Sequence, residues 1–259
     1  MTATYFRAVS SEWLKRRRSL TTWLIVGSAG FVPTIIFLSR FRRIDALPAI
    51  YRDARFWELL WRQAWEALAL MILPLAVMLM VTLITQIEDR NNAWKQVHAA
   101  PVPLPIVFAA KLTVIIALVA AIVFLHTAAF YAAGVLPAVI FPSVPAPGAF
   151  PLRMFLRRDV DFVVDVLPIV AIQFALALRF RTFITPLAVG MAMWILSVGT
   201  ISWRYNFTIP YSHAGLDYLI VEYHRVVPLP ASPRVIAAGC FVVFTLAGYF
   251  IYAARRDKG

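Results

Sequence analysis

Six runs of apolar residues divide this sequence, each of about twenty residues, the length needed to cross a hydrocarbon core of about 30 Å. They are Leu20–Leu38, Ala64–Thr85, Leu112–Leu136, Phe162–Leu178, Pro186–Trp203 and Val235–Ala254. Apolar residues of a soluble domain come in short periodic groups and make up about half of the chain. Here they make up 61% of 259 residues. The expected fold is an all-α integral membrane protein with six transmembrane helices. The fourth run is the weakest, because Asp165 and Pro168 interrupt it. No internal repeat, Gly/Ser linker or low-complexity tract is visible, so residues 1–259 read as a single membrane domain.

The formal net charge of +12 would suggest nucleic acid in a soluble protein. In this chain the charges border apolar runs and form no continuous basic face. They fit contact with anionic lipid headgroups and orientation by cytoplasmic Lys and Arg. Cys240 is the single cysteine, which excludes an intrachain disulfide framework and a multi-cysteine metal site. RRRS precedes LTTWLIVGSAGFVPTIIFL, but no A-x-A site follows, so the first run reads as an uncleaved anchor. Six spans place both termini on one side. Lys and Arg divide almost evenly between the sides, and the cluster SRFRR after the first run opposes the N-terminal one. The basic residues near the termini sit in shorter segments, so the termini are expected in the cytoplasm.

The opening TYFRAVSSEWLKRRRS places Phe6, Val9, Trp13 and Leu14 on one helical face and Arg7, Ser11, Lys15 and Arg18 on the other. Residues 1–19 therefore read as an interfacial amphipathic helix, the alternative being a plain basic anchor. After the first run, Trp57, Trp61 and Trp65 recur every four residues beside Glu58, Arg62 and Glu66. The tryptophans read first as an aromatic belt at the mouth of a span, and second as a substrate-binding wall. His126, Asp165 and Glu66 are the ionisable candidates for a pathway or for bonding between helices. Asp161 and Asp165 are expected to pair with local arginines, Arg158 among them. Residues 204–234 read as an outer segment with a short amphipathic helix on the interface. His213 and Asp217 share a face of it, a weak metal signal with no third ligand at matched spacing. Pro33, Pro74 and Pro168 break backbone bonding inside spans.

Residues 86–111, QIEDRNNAWKQVHAAPVPLPIVFAAK, are longer than a membrane turn requires. NNAWKQVHA can form a short helix, and Pro101, Pro103 and Pro105 stop it before the third span. Trp94 and Val97 offer an apolar contact ringed by Arg90, Asn91, Lys95 and Gln96, the pattern of a protein–protein anchor. An ordinary interfacial turn is the alternative. The order EDRNNAWKQVHAAPVPLPIVFAAK resembles the first cytoplasmic loop of type-two ABC exporter permeases, especially the lantibiotic-immunity and bacitracin-resistance branch. SEWLKRRRS, with Glu12 and Lys15, and LPIVAIQFALALRFRTFITPLAVG are similar to the same family.

The resemblance implies a coupling helix that docks on a separate cytoplasmic ATP-binding subunit through Glu88, Asp89, Arg90, Trp94 and Lys95. Arg179 and Arg181 form a second, smaller contact. It also implies an elbow helix bearing Phe6, Trp13, Lys15 and Arg18, a second permease subunit (identical or homologous), and residence in the inner membrane with lipid as neighbour. No cofactor is expected on this chain, and ATP and Mg belong to the partner. The chain has no G-x-x-x-x-G-K-[ST], so it carries no Walker loop of its own. The implied cargo is an amphipathic peptide antibiotic, lipid or drug. An intramembrane lipid enzyme is disfavoured, since no span carries paired carboxylates or a Ser/His set. A non-transporting scaffold of the same fold, pulling on an envelope partner, stays open. The strongly basic outer side, with Arg40, Arg42, Arg43, Arg157 and Arg158, departs from the family pattern.

Overall fold

The computed structural model describes residues 2–16, 20–87, 102–180, 182–224 and 229–256. Within them the chain is helical and contains no strand. The N-terminal helix α1 covers Thr2–Lys15 and α2 covers Thr21–Phe41. A short α3, Leu47–Tyr51, follows a 3-10 turn. The long helices are α4, Phe56–Thr85, α5, Leu104–Ile140, and α6, Leu152–Arg179. Next come α7, Ile184–Gly199, α8, His213–Tyr223, and α9, Pro233–Arg256.

Five of these helices, α2, α4, α5, α6 and α9, are long and apolar enough to cross a membrane. The sixth expected span is the 16-residue α7, only about 24 Å at 1.5 Å per residue. Observed helices overrun the apolar stretches. α4 begins at Phe56 instead of Ala64, and α6 at Leu152 instead of Phe162. The added turns carry Glu58, Arg62, Arg153 and Arg157, which suit a helix as well as leucine does but need water or headgroups. Hydropathy therefore marks the lipid-covered part of a helix and misses its ends.

One end of the bundle gathers α1, the last turn of α4, the first turns of α5 and the turn from α6 to α7. Tyr5 Oη lies 2.7 Å from Thr113 Oγ1, and Gln86 Nε2 donates to the Thr182 carbonyl. The opposite end gathers residues 41–56, 141–151, 200–224 and 229–233. Phe41 meets Phe141 edge-on at 5.2 Å, and Trp57 Nε1 donates to the Gly148 carbonyl at 2.8 Å. α9 packs along α6, and α2 along α5. Both α2 and α9 leave large apolar side chains exposed, including Trp23, Phe31, Val243 and Phe250.

The tryptophans of α4 form no headgroup belt. Trp57, Trp61 and Trp65 are all buried. Trp65 stacks on Phe162 at 4.5 Å, and Trp61 meets Tyr218 at 5.7 Å. Glu58 and Glu66, on the other face, are exposed. The stripe faces α5, α6 and α8, so aromatic area goes into packing. Gly134 of α5 permits this approach: a Cβ there would stand 2.4 Å from the Trp57 ring.

Pro74 deforms α4 in a specific way. Having no N–H, it cannot serve the carbonyl four residues back, that of Leu70. Residues Leu68–Ile72 widen into a π turn, in which the Leu73 N–H reaches back to Leu68. Leu70 then accepts from the Trp194 indole of α7 at 2.9 Å. A proline in a span becomes a docking point for the next helix.

Candidate functional site

Two polar assemblies flank residues 86–111. On the α5 side, the Glu12 carboxylate is buried beneath α1 and accepts from Lys111 Nζ at 2.7 Å, with Lys15 as its second partner. Lys111 is only 2% exposed, so a buried ion pair joins α1 to the start of α5. Such pairs fix geometry more surely than they add stability.

On the α4 side, Gln173 of α6 lies fully buried among apolar neighbours. Its Nε2 donates to Thr82 Oγ1 of α4 and to the Pro186 carbonyl of α7, both at 3.0 Å. Its Oε1 accepts from Tyr211 Oη at 3.0 Å. Gly190 gives α7 the necessary closeness, since a Cβ there would lie 2.6 Å from both Gln173 Oε1 and Met78 Sδ. Four segments are thus bonded through one amide, and the last turn of α4 is among them.

Residues 200–223 do not lie flat on the surface of the bundle. The chain leaves α7, turns back into the bundle as far as Tyr211, and climbs out again as α8. His213 to Tyr218 are buried, so the expected interfacial helix is inserted instead. Irregular backbone at this depth needs internal partners. Asn206 Nδ2 donates to the Ser197 carbonyl and to Thr200 Oγ1, both at 3.0 Å, which finishes α7. Ser212 donates to the Asn206 and Ile209 carbonyls, and a His213 ring nitrogen lies 2.8 Å from the Phe207 carbonyl.

The inserted α8 carries Asp217 against Asp165 of α6. Asp161 bonds Arg234 of α9 at 2.7 Å. Arg158, expected on Asp161, lies 4.1 Å over the Trp61 ring, and Asp165 faces another acid where a local arginine was expected. Among the described residues no group of three or more acids, histidines or cysteines could hold a metal ion.

The hub and the ion pair sit on the two helices that residues 86–111 join, and the sequence places the chain in a known group. The sequence pattern described as ABC-2 family transporter protein matches residues 8–197. The chain belongs to the ABC-2 transporter family. No curated protein matches it. The matched residues run from α1 through α7 and include the whole hub except Tyr211. In an ABC-2 chain the membrane subunit is generally not itself catalytic, and the family implies an ATP-binding partner subunit.

The sequence-derived candidates of this ABC-2 protein fall into separate groups. Glu88, Asp89, Arg90, Trp94, Lys95, Arg181 and Arg18 lie outside the described residues. Arg179 ends α6 and is exposed, its guanidinium 5.7 Å from the Phe180 ring. Phe6 and Trp13 are exposed on α1, while Lys15 bonds Glu12. His126 lies inside the bundle with Nδ1 2.9 Å from the Ala29 carbonyl of α2, which fits a bond between helices. Glu66 is exposed and lines a cavity of about 400 Å3 with Arg40, Arg62 and Gln63. Sequence reasoning missed Gln173, Thr82 and Tyr211. The available signal was a lone amide in an apolar run, which must find partners on neighbouring helices.

Proposed function

We propose that this chain is the permease subunit of an ATP-driven ABC transporter, with a separate cytoplasmic ATP-binding subunit docked on residues 86–111. Trp94 is the knob of that contact, and Glu88 and Lys95 are its polar latches. α1 acts as the elbow helix, α7 with its inserted return serves as the sixth crossing, and both termini face the cytoplasm of the inner membrane. A second permease subunit completes the pathway for an amphipathic substrate, as in the lantibiotic-immunity and bacitracin-resistance branch. ATP and Mg act on the partner.

Family membership supports this reading first. The observation that carries it further is the wiring on both sides of the loop. Glu12–Lys111 ties the start of α5 to α1, and Gln86–Thr182 with Gln173–Thr82 ties the end of α4 to α6 and α7. A force on the loop would pass from α4 and α5 to three further helices, α1, α6 and α7, through direct bonds.

The test is co-expression with the genomically adjacent ATPase, scoring co-purification and ATP turnover. Wild type should retain the ATPase, and Trp94→Ala and Glu88→Lys should lose association or turnover by about tenfold or more, as for a central interface residue. Equal retention by both variants would remove the coupling role from this loop.

A further inference from the structure

The arginines at the start of α6 take no part in the wiring above, yet they are gathered at one place. Arg153, Arg157 and Arg158 line a cavity of about 760 Å3 with Arg234 from the first turn of α9. One acid stands among them, Asp161, and it is engaged by Arg234. Among the described residues neither Arg153 nor Arg157 forms an ion pair. The cavity lining therefore carries four arginines against one acid, and of the arginines beside Asp161 it is Arg158 that also feels Glu58, Asp217 and Glu222. Arg158 is held by a cation–π contact, its Cζ 4.1 Å from the centre of the Trp61 ring.

The other walls are apolar and include Leu152, Met154 and Val221. From Leu152 an exposed stripe continues one turn at a time along α6, through Leu156 and Val160. Depth follows from length. α6 has 28 residues, about 42 Å, whereas the hydrocarbon core takes about 20 residues. Counted back from Arg179, the first two turns project beyond the core, so the arginines stand at headgroup level and the stripe descends from them.

Guanidinium groups match phosphate oxygens with paired N–H donors, and a headgroup carries its hydrocarbon beside it. The geometry points to a binding site for a phosphate-bearing anionic amphiphile. Its phosphate is held by Arg153, Arg157 and Arg158, and its chain passes Leu156 and enters the core along Val160. The site belongs to the isolated chain and does not rest on ATP coupling, so it stands or falls separately from the proposed transport role.

The experiment is a polarisation titration of a fluorescent phosphatidylglycerol with the purified chain in neutral detergent. Unlabelled phosphatidylglycerol should displace the probe and phosphatidylcholine should not; equal displacement by both overturns the proposal without any variant. Arg153→Gln/Arg157→Gln should weaken binding about thirtyfold, from the contribution of basic residues near a membrane surface. Arg153→Lys/Arg157→Lys keeps the charge but loses the paired donors, and should bind between wild type and the glutamine variant. Arg42→Gln/Arg43→Gln removes charge on the same end of the bundle but outside the cavity, and should bind as wild type. Unchanged binding by the first variant, or an equal loss in the Arg42/Arg43 control, overturns the proposal. Inorganic phosphate separates two sources of the same chemistry. Displacement of the probe assigns the arginines to phosphate anions in general, and none assigns them to a headgroup anchored by its chain.

Discussion

Gln173→Leu cuts the polar hub at its centre with little change of volume, and its cost follows from what each partner loses. Gln173 is fully buried and Tyr211 is 2% exposed, so neither finds water when its partner goes. Thr82 Oγ1 keeps its own bond to the Met78 carbonyl at 2.7 Å. Pro186 lies in the first turn of α7, where its carbonyl keeps a helical partner. The unmet group is the Tyr211 hydroxyl. A buried orphan costs about 1–3 kcal/mol, and bonds inside membrane bundles fall at the low end, so about 1–2 kcal/mol is expected. Tyr211→Phe leaves Gln173 Oε1 without its donor and should cost about the same. Combined, the two changes leave apolar groups facing each other, which is close to neutral. Thermal unfolding in detergent, followed by tryptophan emission, should lower Tm by about 3–8 °C in each single variant. The double variant should come within about 3 °C of wild type, a coupling of about 2 kcal/mol. Additive losses in the double variant, or singles that melt with wild type, would refute the hub.

Gly134→Ala should destabilise by about 1–3 kcal/mol in the same assay, because the new Cβ falls 2.4 Å from a Trp57 ring already fixed by its indole bond to Gly148. Gly239→Ala, which meets nothing within 4 Å, is the control and should melt with wild type.

The parts legible in the sequence are those that a single helix decides alone. Twenty apolar residues commit a segment to span, and a proline commits a helix to a local defect, as Pro74 does. What a second helix decides was not legible. Trp57, Trp61 and Trp65 carry the same spacing whether they meet headgroups or Phe162 and Tyr218; only the arrival of α6 and α8 settles it. Asp165 and Asp217 stand 52 positions apart, and nothing in either neighbourhood announces that the chain between them dives back into the bundle. That return depends on Asn206, Ser212 and His213 giving irregular backbone its partners, three residues whose local pattern is that of an ordinary outer loop. The same reasoning ranks the polar residues of the bundle. A charge at a helix end satisfies itself in headgroups and constrains nothing else. A buried neutral amide such as Gln173 can be satisfied only by fixing three other segments at once, so it carries more information about the fold than the arginines around it. In this ABC-2 chain the few uncharged polar side chains within the apolar runs, which hydropathy leaves unnoticed, therefore say most about which helices meet.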